Sequence, residues 1–172
     1  MITNMAGSRG VESDISVRRA DGDADVALGK ALFFEYAESL DFSLCFQGFD
    51  VEMERFPGSY GPPRGCLLVG FVGGELAGVV GLRPISVSGD DGLCEMKRLY
   101  VRPGSRNLGI GQRLVRDVIS EARSRSYRAM RLDTLPSMKS AREIYGAFGF
   151  KPIGNYNESP LDGIEHFGLD VS

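Results

Sequence analysis

Between residues 66 and 101 apolar and β-branched positions run almost without a break, interrupted by Gly73-Gly74 and by the segment 88–92. This predicts three strands, over 66–72, 75–83 and 93–101. The Gly-Gly pair joins the first two as a hairpin, and Pro103 stops the third. Upstream, 15–20 predicts a short strand closed by Asp21-Gly22. Residues 23–39 predict a helix capped by Asp23, with Ala24, Leu28, Ala31, Leu32 and Tyr36 near one face. Downstream, Leu114, Val115, Val118, Ile119 and Ala122 recur at helical spacing and predict an amphipathic helix from Gly109. Residues 129–134 predict a strand. The next helix opens at Pro136-Ser137, carries Ala141, Ile144, Tyr145 and Phe148 on one face, and ends at Gly149. Two final strands are expected at 151–155 and 165–171, around a loop at 157–163. Residues 40–64 have no clear period: 49–56 predict a helical turn or two and 57–65 a loop. The order is β-α, three strands, then α-β-α and two strands, which is a mixed α/β sheet.

The length of 172 residues suits one domain, expected at 15–172 behind a flexible tail at 1–14. Twenty-three glycines are roughly twice average usage and imply tight turns or close backbone approaches. One histidine, His166, and no C-x-x-C exclude His-rich or ribbon-type zinc sites, so no metal is expected. Cys45, Cys66 and Cys94 are expected as buried thiols in a reducing compartment. No apolar run approaches a membrane span and the N-terminus has no signal-peptide core. A soluble cytoplasmic protein without membrane partners is therefore expected. The net charge of −3 argues against nucleic-acid binding. Its distribution is uneven: residues 97–131 carry ten Lys/Arg against Asp117 and Glu121, and the rest of the chain is strongly acidic. A basic centre suits a phosphate-bearing ligand held at one place. Arg113, Arg116, Arg123 and Arg125 are read as solvating an exposed helix face.

The segment Arg102–Gly109 links a strand to a helix and is rich in glycine towards its end. Unpaired N–H groups at such a turn, with the positive end of the helix dipole, can hold a phosphate. Gly109 and Gly111 allow close approach, and Arg106 adds a charge-assisted contact. No G-K-[ST] follows, and Arg113-Leu114 stands where a dinucleotide fingerprint has its third glycine. A nucleotide-binding regulator is therefore the weaker reading.

Arg106-Asn107-Leu108-Gly109-Ile110-Gly111 matches R/Q-x-x-G-x-G/A. Leu99-Tyr100-Val101-Arg102-Pro103 precedes it, and Ala141-x-x-x-Tyr145-x-x-x-Gly149-Phe150 follows. In these three motifs, in this order, the chain resembles the GNAT superfamily of acetyl-coenzyme A-dependent N-acetyltransferases. The resemblance covers about residues 15–171 and is closest over 93–150. It implies a largely antiparallel mixed sheet flanked by helices, with a splayed cofactor cleft. It implies direct transfer of an acetyl group to a primary amine of a small molecule or peptide in a ternary complex, with acetyl-coenzyme A as co-substrate. Backbone groups of Leu99 and Val101, beside Tyr100, would meet the pantetheine arm, and the amides of Leu108, Gly109, Ile110, Gly111 and Gln112, with Arg106 and Asn107, the pyrophosphate. Many members carry Asn where this chain has Met138, and members are often homodimers. A non-catalytic acyl-coenzyme A sensor on the same scaffold is the alternative.

The chemistry needs two proton transfers. An alkylammonium near pKa ~10.4 costs about 4 kcal/mol to deprotonate at neutral pH, so a base or a water relay is required. The resemblance makes Tyr145 the donor to the leaving thiolate, against a reading as a core aromatic beside Ile144 and Phe148. Glu95, on the strand before the loop, is the candidate base. Regular alternation would put it on one face with Lys97, Leu99 and Val101. An ion pair of Glu95 with Lys97 or an arginine is an equally weighted reading. Glu52, Glu54 and Tyr60 are weaker candidates for acceptor contacts and are read mainly as solvated surface.

Overall fold

A computed structural model describes residues 14–172, so the expected tail lies, Asp14 apart, outside the described residues. Seven strands form one sheet in the order β1-β2-β3-β4-β5-β7-β6. They are β1 (Ile15–Arg19), β2 (Cys66–Val72), β3 (Glu75–Val87), β4 (Asp90–Val101), β5 (Ala129–Thr134), β6 (Lys151–Pro152) and β7 (Glu165–Asp170). Every adjacent pair is antiparallel except β4 and β5, which are parallel. The helices are α1 (Asp23–Glu38), α2 (Phe49–Glu54), α3 (Ile110–Ser124) and α4 (Lys139–Ala147). Among the described residues no helix is long and apolar enough to cross a membrane.

The hairpin of β2 and β3 turns at Gly73 and Gly74, both at positive φ, as the pattern predicts. The next turn is tighter than expected. Ser88 and Gly89 alone carry it, at φ 52° and 82°, so β3 and β4 both extend into the segment read as loop. Gly22 rather than Asp23 is the N-cap of α1, and no side chain caps it. Beyond Pro152 the chain leaves the sheet, so β6 is shorter than expected.

Two cores fill the two faces of the sheet. On one, Leu114, Val115, Val118, Ile119 and Ala122 of α3 pack with Cys66, Leu68, Val80, Met96 and Met130. Each Leu, Val or Ile buried there contributes about 1.5–3 kcal/mol. On the other, Leu32 and Phe33 of α1 pack with Phe49, Met53, Tyr60, Val79 and Tyr100. The buried stripe of α1 runs through Leu32 and Phe33 and leaves Ala24 and Ala31 exposed. The reason is aromatic: Phe33 meets Phe56 and Tyr60 edge-on, each at 5.3 Å between ring centroids. Both partners come from the segment that lacked a readable period. Cys66 and Cys94 are buried as expected, and burial pushes both thiols up to about 12. Cys45 is exposed, contrary to expectation.

β4 departs from regular alternation. Gly81 pairs with Lys97 and Val79 with Tyr100, so Val80 alone opposes Arg98 and Leu99. Arg98 has φ 60°, the signature of an inserted residue. The side chains beyond it change faces. Cys94, Met96, Leu99 and Val101 belong to the α3 side, whereas Tyr100 lies in the α1 core. Lys97 and Arg98 both reach Gln47, in the 3-10 turn Cys45–Gln47 just before α2. The expected common face of Glu95, Lys97, Leu99 and Val101 is therefore corrected.

Tyr60 is wedged beneath β3, and a Cβ at Gly81 would stand 2.6 Å from its ring atoms. Gly81→Ala is expected to destabilise the fold by about 1–3 kcal/mol, read as a lower urea midpoint at unchanged slope.

Candidate active site

β4 and β5 pair over three positions only, Leu93 with Ala129, Cys94 with Met130 and Glu95 with Arg131. Both strands then continue, β4 to Val101 and β5 to Thr134, without further pairing to each other. A cleft opens between them, lined by Lys97, Leu99, Asp133, Met138 and Tyr145 and rimmed by Phe42, Leu44, Leu161 and Ile164. The splayed sheet expected from the motifs is thus present.

The loop after β4 is tied back to the strand it leaves: Arg106 donates from Nε to the Val101 carbonyl at 3.1 Å. Asn107 and Gly109 have φ 61° and 94°. Gly109 is the N-cap of α3, where its lack of a Cβ makes the left-handed turn cheap. Among the described residues no carbonyl or side chain accepts from the N–H groups of residues 107–112. No acid lies in the first turn of α3. The arrangement can hold an anion through amides and the helix dipole.

One expectation about this loop changes. A Cβ on Gly111 would meet Ile144 Cδ1 at 3.0 Å, so this glycine serves the contact of α3 with α4 rather than a bare approach for a ligand. The side chains of Tyr100 and Ile110 are buried in opposite cores, so only their backbones face the loop chemistry. Leu108 stands 42% exposed. Arg116 and Arg123 are exposed as read from the sequence, whereas Arg113 is half-buried against Asp117 and Arg125, just past the end of α3, is half-buried against Glu121.

Tyr145 is both a core residue and a wall of the cleft. Its ring meets Phe150 edge-on at 5.8 Å, and the residue lines the opening. Burial, with the nearby Tyr36 and Asp133, pushes its phenol above the usual value, so it stays protonated at neutral pH. Met138 fills its position against Thr134, whose hydroxyl lies 3.5 Å from the sulfur.

Glu95 is 1% exposed and does not line the cleft. Arg83 donates to Oε2 at 2.7 Å and the Tyr156 hydroxyl to Oε1 at 2.8 Å. Of its two readings, this geometry is that of the ion pair, and the acid that faces the cleft is Asp133. Glu52 and Tyr60 also move from surface to interior. The Tyr60 hydroxyl donates to Glu52 at 2.8 Å, and Glu52 holds Arg98 at 2.8 Å. Glu54 stays exposed.

Asp133, Tyr156, Asn157 and His166 were not singled out by the motifs as site residues. Asn157 donates to Asp133 at 2.9 Å, and its carbonyl oxygen lies 2.8 Å from His166 Nε2. Alternation along 129–134 does place Asp133 on the opposite face from the buried Leu132, which was an available signal. Tyr156 and Asn157 lie in a segment with no motif, brought to β4 and β5 by tertiary folding alone. Among the described residues no three His, Cys, Asp or Glu side chains cluster as metal ligands.

Residues 32–150, which include α3, the amide loop and Tyr145, match the Acetyltransferase (GNAT) family. The chain belongs to the GNAT acetyltransferase family. It is 37% identical over 161 residues to an uncharacterized N-acetyltransferase of Schizosaccharomyces pombe, covering 93% of this chain and 97% of that one. It is 32% identical over 139 residues to N-acetyltransferase 8 of Homo sapiens, covering 75% and 57%. The fold is similar to a GNAT acetyltransferase of Staphylococcus aureus, with TM-score 0.73, 17% identity and coverage of 92% and 99%. It is also similar to a Salmonella typhimurium acetyltransferase solved with acetyl-CoA, with TM-score 0.67, 17% identity and coverage of 92% and 94%. The named N-acetyltransferase relatives support acyltransferase activity for this GNAT chain.

Removing the Glu95 charge should unbalance the paired layer around it. Glu95→Gln leaves Arg83 short of its anion and is expected to cost about 3–5 kcal/mol. For a chain of this size that is a fall in Tm of roughly 6–20 °C by calorimetry.

Proposed function

We propose that the chain is an acetyl-coenzyme A-dependent N-acetyltransferase that moves an acetyl group directly to a primary amine of a small molecule or peptide. The observation that carries this reading is the open β4–β5 cleft with Tyr145 in its wall, and beyond the end of β4 the amides of 107–112, which have no partner among the described residues. The loop fits a pyrophosphate: several unpaired N–H groups, the N-terminus of a 15-residue helix, and no acid in its first turn. The Salmonella acetyltransferase of similar fold was solved with acetyl-CoA as its cofactor, which supports the same assignment here.

Acetyl-coenzyme A supplies an acyl thioester, already activated towards attack by nitrogen. In this reading the amides of Leu108 to Gln112 bind its phosphates, and the backbone of Leu99 and Val101 orients its arm. Asp133 receives the proton of the incoming ammonium, replacing Glu95 in that part because it lines the cleft. The C–N bond forms as the C–S bond breaks, Tyr145 gives its Oη proton to the departing sulfur, and the remaining surplus proton of the acylated nitrogen passes through water to the Tyr145 oxygen, restoring the phenol. Glu95 acts as a positioning residue, held by Arg83 and Tyr156 beside the cleft-lining Lys97. The free space of the cleft is about 60 Å³, room for a few waters, so its rim at Phe42, Leu44, Leu161 and Ile164 must yield to admit both reactants.

Acetyl-coenzyme A at about 100 times its Kd should add ~2.7 kcal/mol of stability. That is a rise in Tm of roughly 5–10 °C, which ATP or NADH at equal concentration should not match. Tyr145→Phe keeps the ring and should retain this rise while turnover falls by about 10²-fold or more. Wild-type turnover in Tyr145→Phe, with chemistry rate-limiting, would return Tyr145 to the core alone. A rise with no transfer to any amine in a broad screen would favour the sensor reading.

Leu108→Asp places a negative charge on the exposed amide loop without touching the core. Calorimetry should find acetyl-coenzyme A binding weakened more than tenfold, with Tm in its absence nearly unchanged.

A further inference from the structure

Charged side chains under the acceptor side of the cleft are tightly matched, with one exception. Arg83 and Tyr156 hold Glu95 at 2.7 and 2.8 Å, Asn157 holds Asp133 at 2.9 Å, and Arg98 is divided between Glu52 at 2.8 Å and Gln47 at 3.0 Å. Lys97 is only 6% exposed and lines the cleft, yet among the described residues its ammonium makes only long contacts. Gln47 Oε1 is 3.4 Å away, Asp133 Oδ1 3.7 Å and Glu95 Oε1 3.9 Å. A charge-assisted bond of this kind is ordinarily ~2.7–2.9 Å. A buried ammonium held this loosely keeps donors in reserve while bearing the cost of desolvation.

The missing partner is an anion that enters the cleft. The amide loop that suits phosphate lies beyond Val101, past the inserted residue, and Lys97 is on the opposite face of β4 from Leu99 and Val101. The anion that meets Lys97 therefore belongs to the acceptor. Asp133 stands beside it and is the acid suited to an ammonium, so the two charges of the acceptor must be close together. The apolar rim of Phe42, Leu44, Leu161 and Ile164 suits an apolar side chain.

We propose that Lys97 binds a free carboxylate of the acceptor, and that the acceptor is an amino acid, or an amino-acid derivative, with a free amine beside that carboxylate and an apolar side chain. This rests on the acetyltransferase reading above. It narrows that reading from amines in general to zwitterions.

The test compares phenylalanine, phenylalaninamide and phenethylamine, and likewise leucine, leucinamide and isopentylamine, as acceptors with acetyl-coenzyme A. For wild type, kcat/KM for the carboxylate member of a set should exceed that of its amide and amine by about 100-fold, chiefly through KM. Lys97→Met should shrink this ratio to within about threefold, and Lys97→Arg should restore most of it. Equal or faster transfer to the amide and amine overturns the carboxylate assignment and leaves the acetyltransferase reading standing. If Lys97→Met does not fold, the wild-type ratios decide. If no compound is acetylated, calorimetry of the coenzyme A-loaded protein decides. At least tenfold tighter binding of the carboxylate members supports the assignment even then, and equal binding overturns it; the lack of turnover counts only against the acetyltransferase reading.

Discussion

Arg98 holds a left-handed backbone conformation in the middle of a 12-residue strand, and the cleft depends on it. Such a conformation costs a non-glycine residue of the order of 1–3 kcal/mol. It persists because its guanidinium is held by Glu52 and Gln47 and lies 5.2 Å over the Phe49 ring. The poorly patterned segment 40–60 therefore acts as the clamp of the central strand. It also brings Tyr60 under β3 and against Glu52, so that α1, α2 and β4 are joined by one set of contacts.

The inserted residue sorts the chemistry by face. Before it, Glu95 and Lys97 look towards the polar layer formed with Arg83, Asp133 and Tyr156. After it, Leu99 and Val101 look towards α3 and the amide loop. A strand of unbroken alternation would put all four side chains on one face. In the same stretch β5 parts from β4, so the change of face and the opening of the sheet fall beside each other. Acceptor-side charge and cofactor-side backbone are thereby kept apart across one strand.

Much of this was legible from local pattern. β2 and β5 fall on their predicted bounds, and the stripe of α3 is buried residue for residue. The amide loop and Tyr145 were legible because their motifs are contiguous in sequence. Glu95 was legible as important, and as an ion-pair partner of Lys97 or an arginine, but which arginine and the part of Tyr156 were not. Arg83 lies 12 residues away and Tyr156 61 residues away, the latter from a loop without motif or period. The buried state of Glu52 and Tyr60 was hidden for the same reason: Tyr60 sits among prolines and glycines and Glu52 in a short charged turn, both of which read as surface, and packing against Phe33 and Arg98 buries them.

By itself the amino-acid sequence determined the strands, the helices, the turn at Gly73-Gly74 and the glycine-led start of α3. These follow from side-chain period and backbone freedom, which act over a few residues. The tertiary structure alone decided which face of β4 each residue occupies, because one inserted residue inverts everything after it and no local period records it. It alone decided that Glu95 is enclosed while Asp133 and Lys97 meet the cleft, since burial of a charge is set by what packs over it from distant parts of the chain.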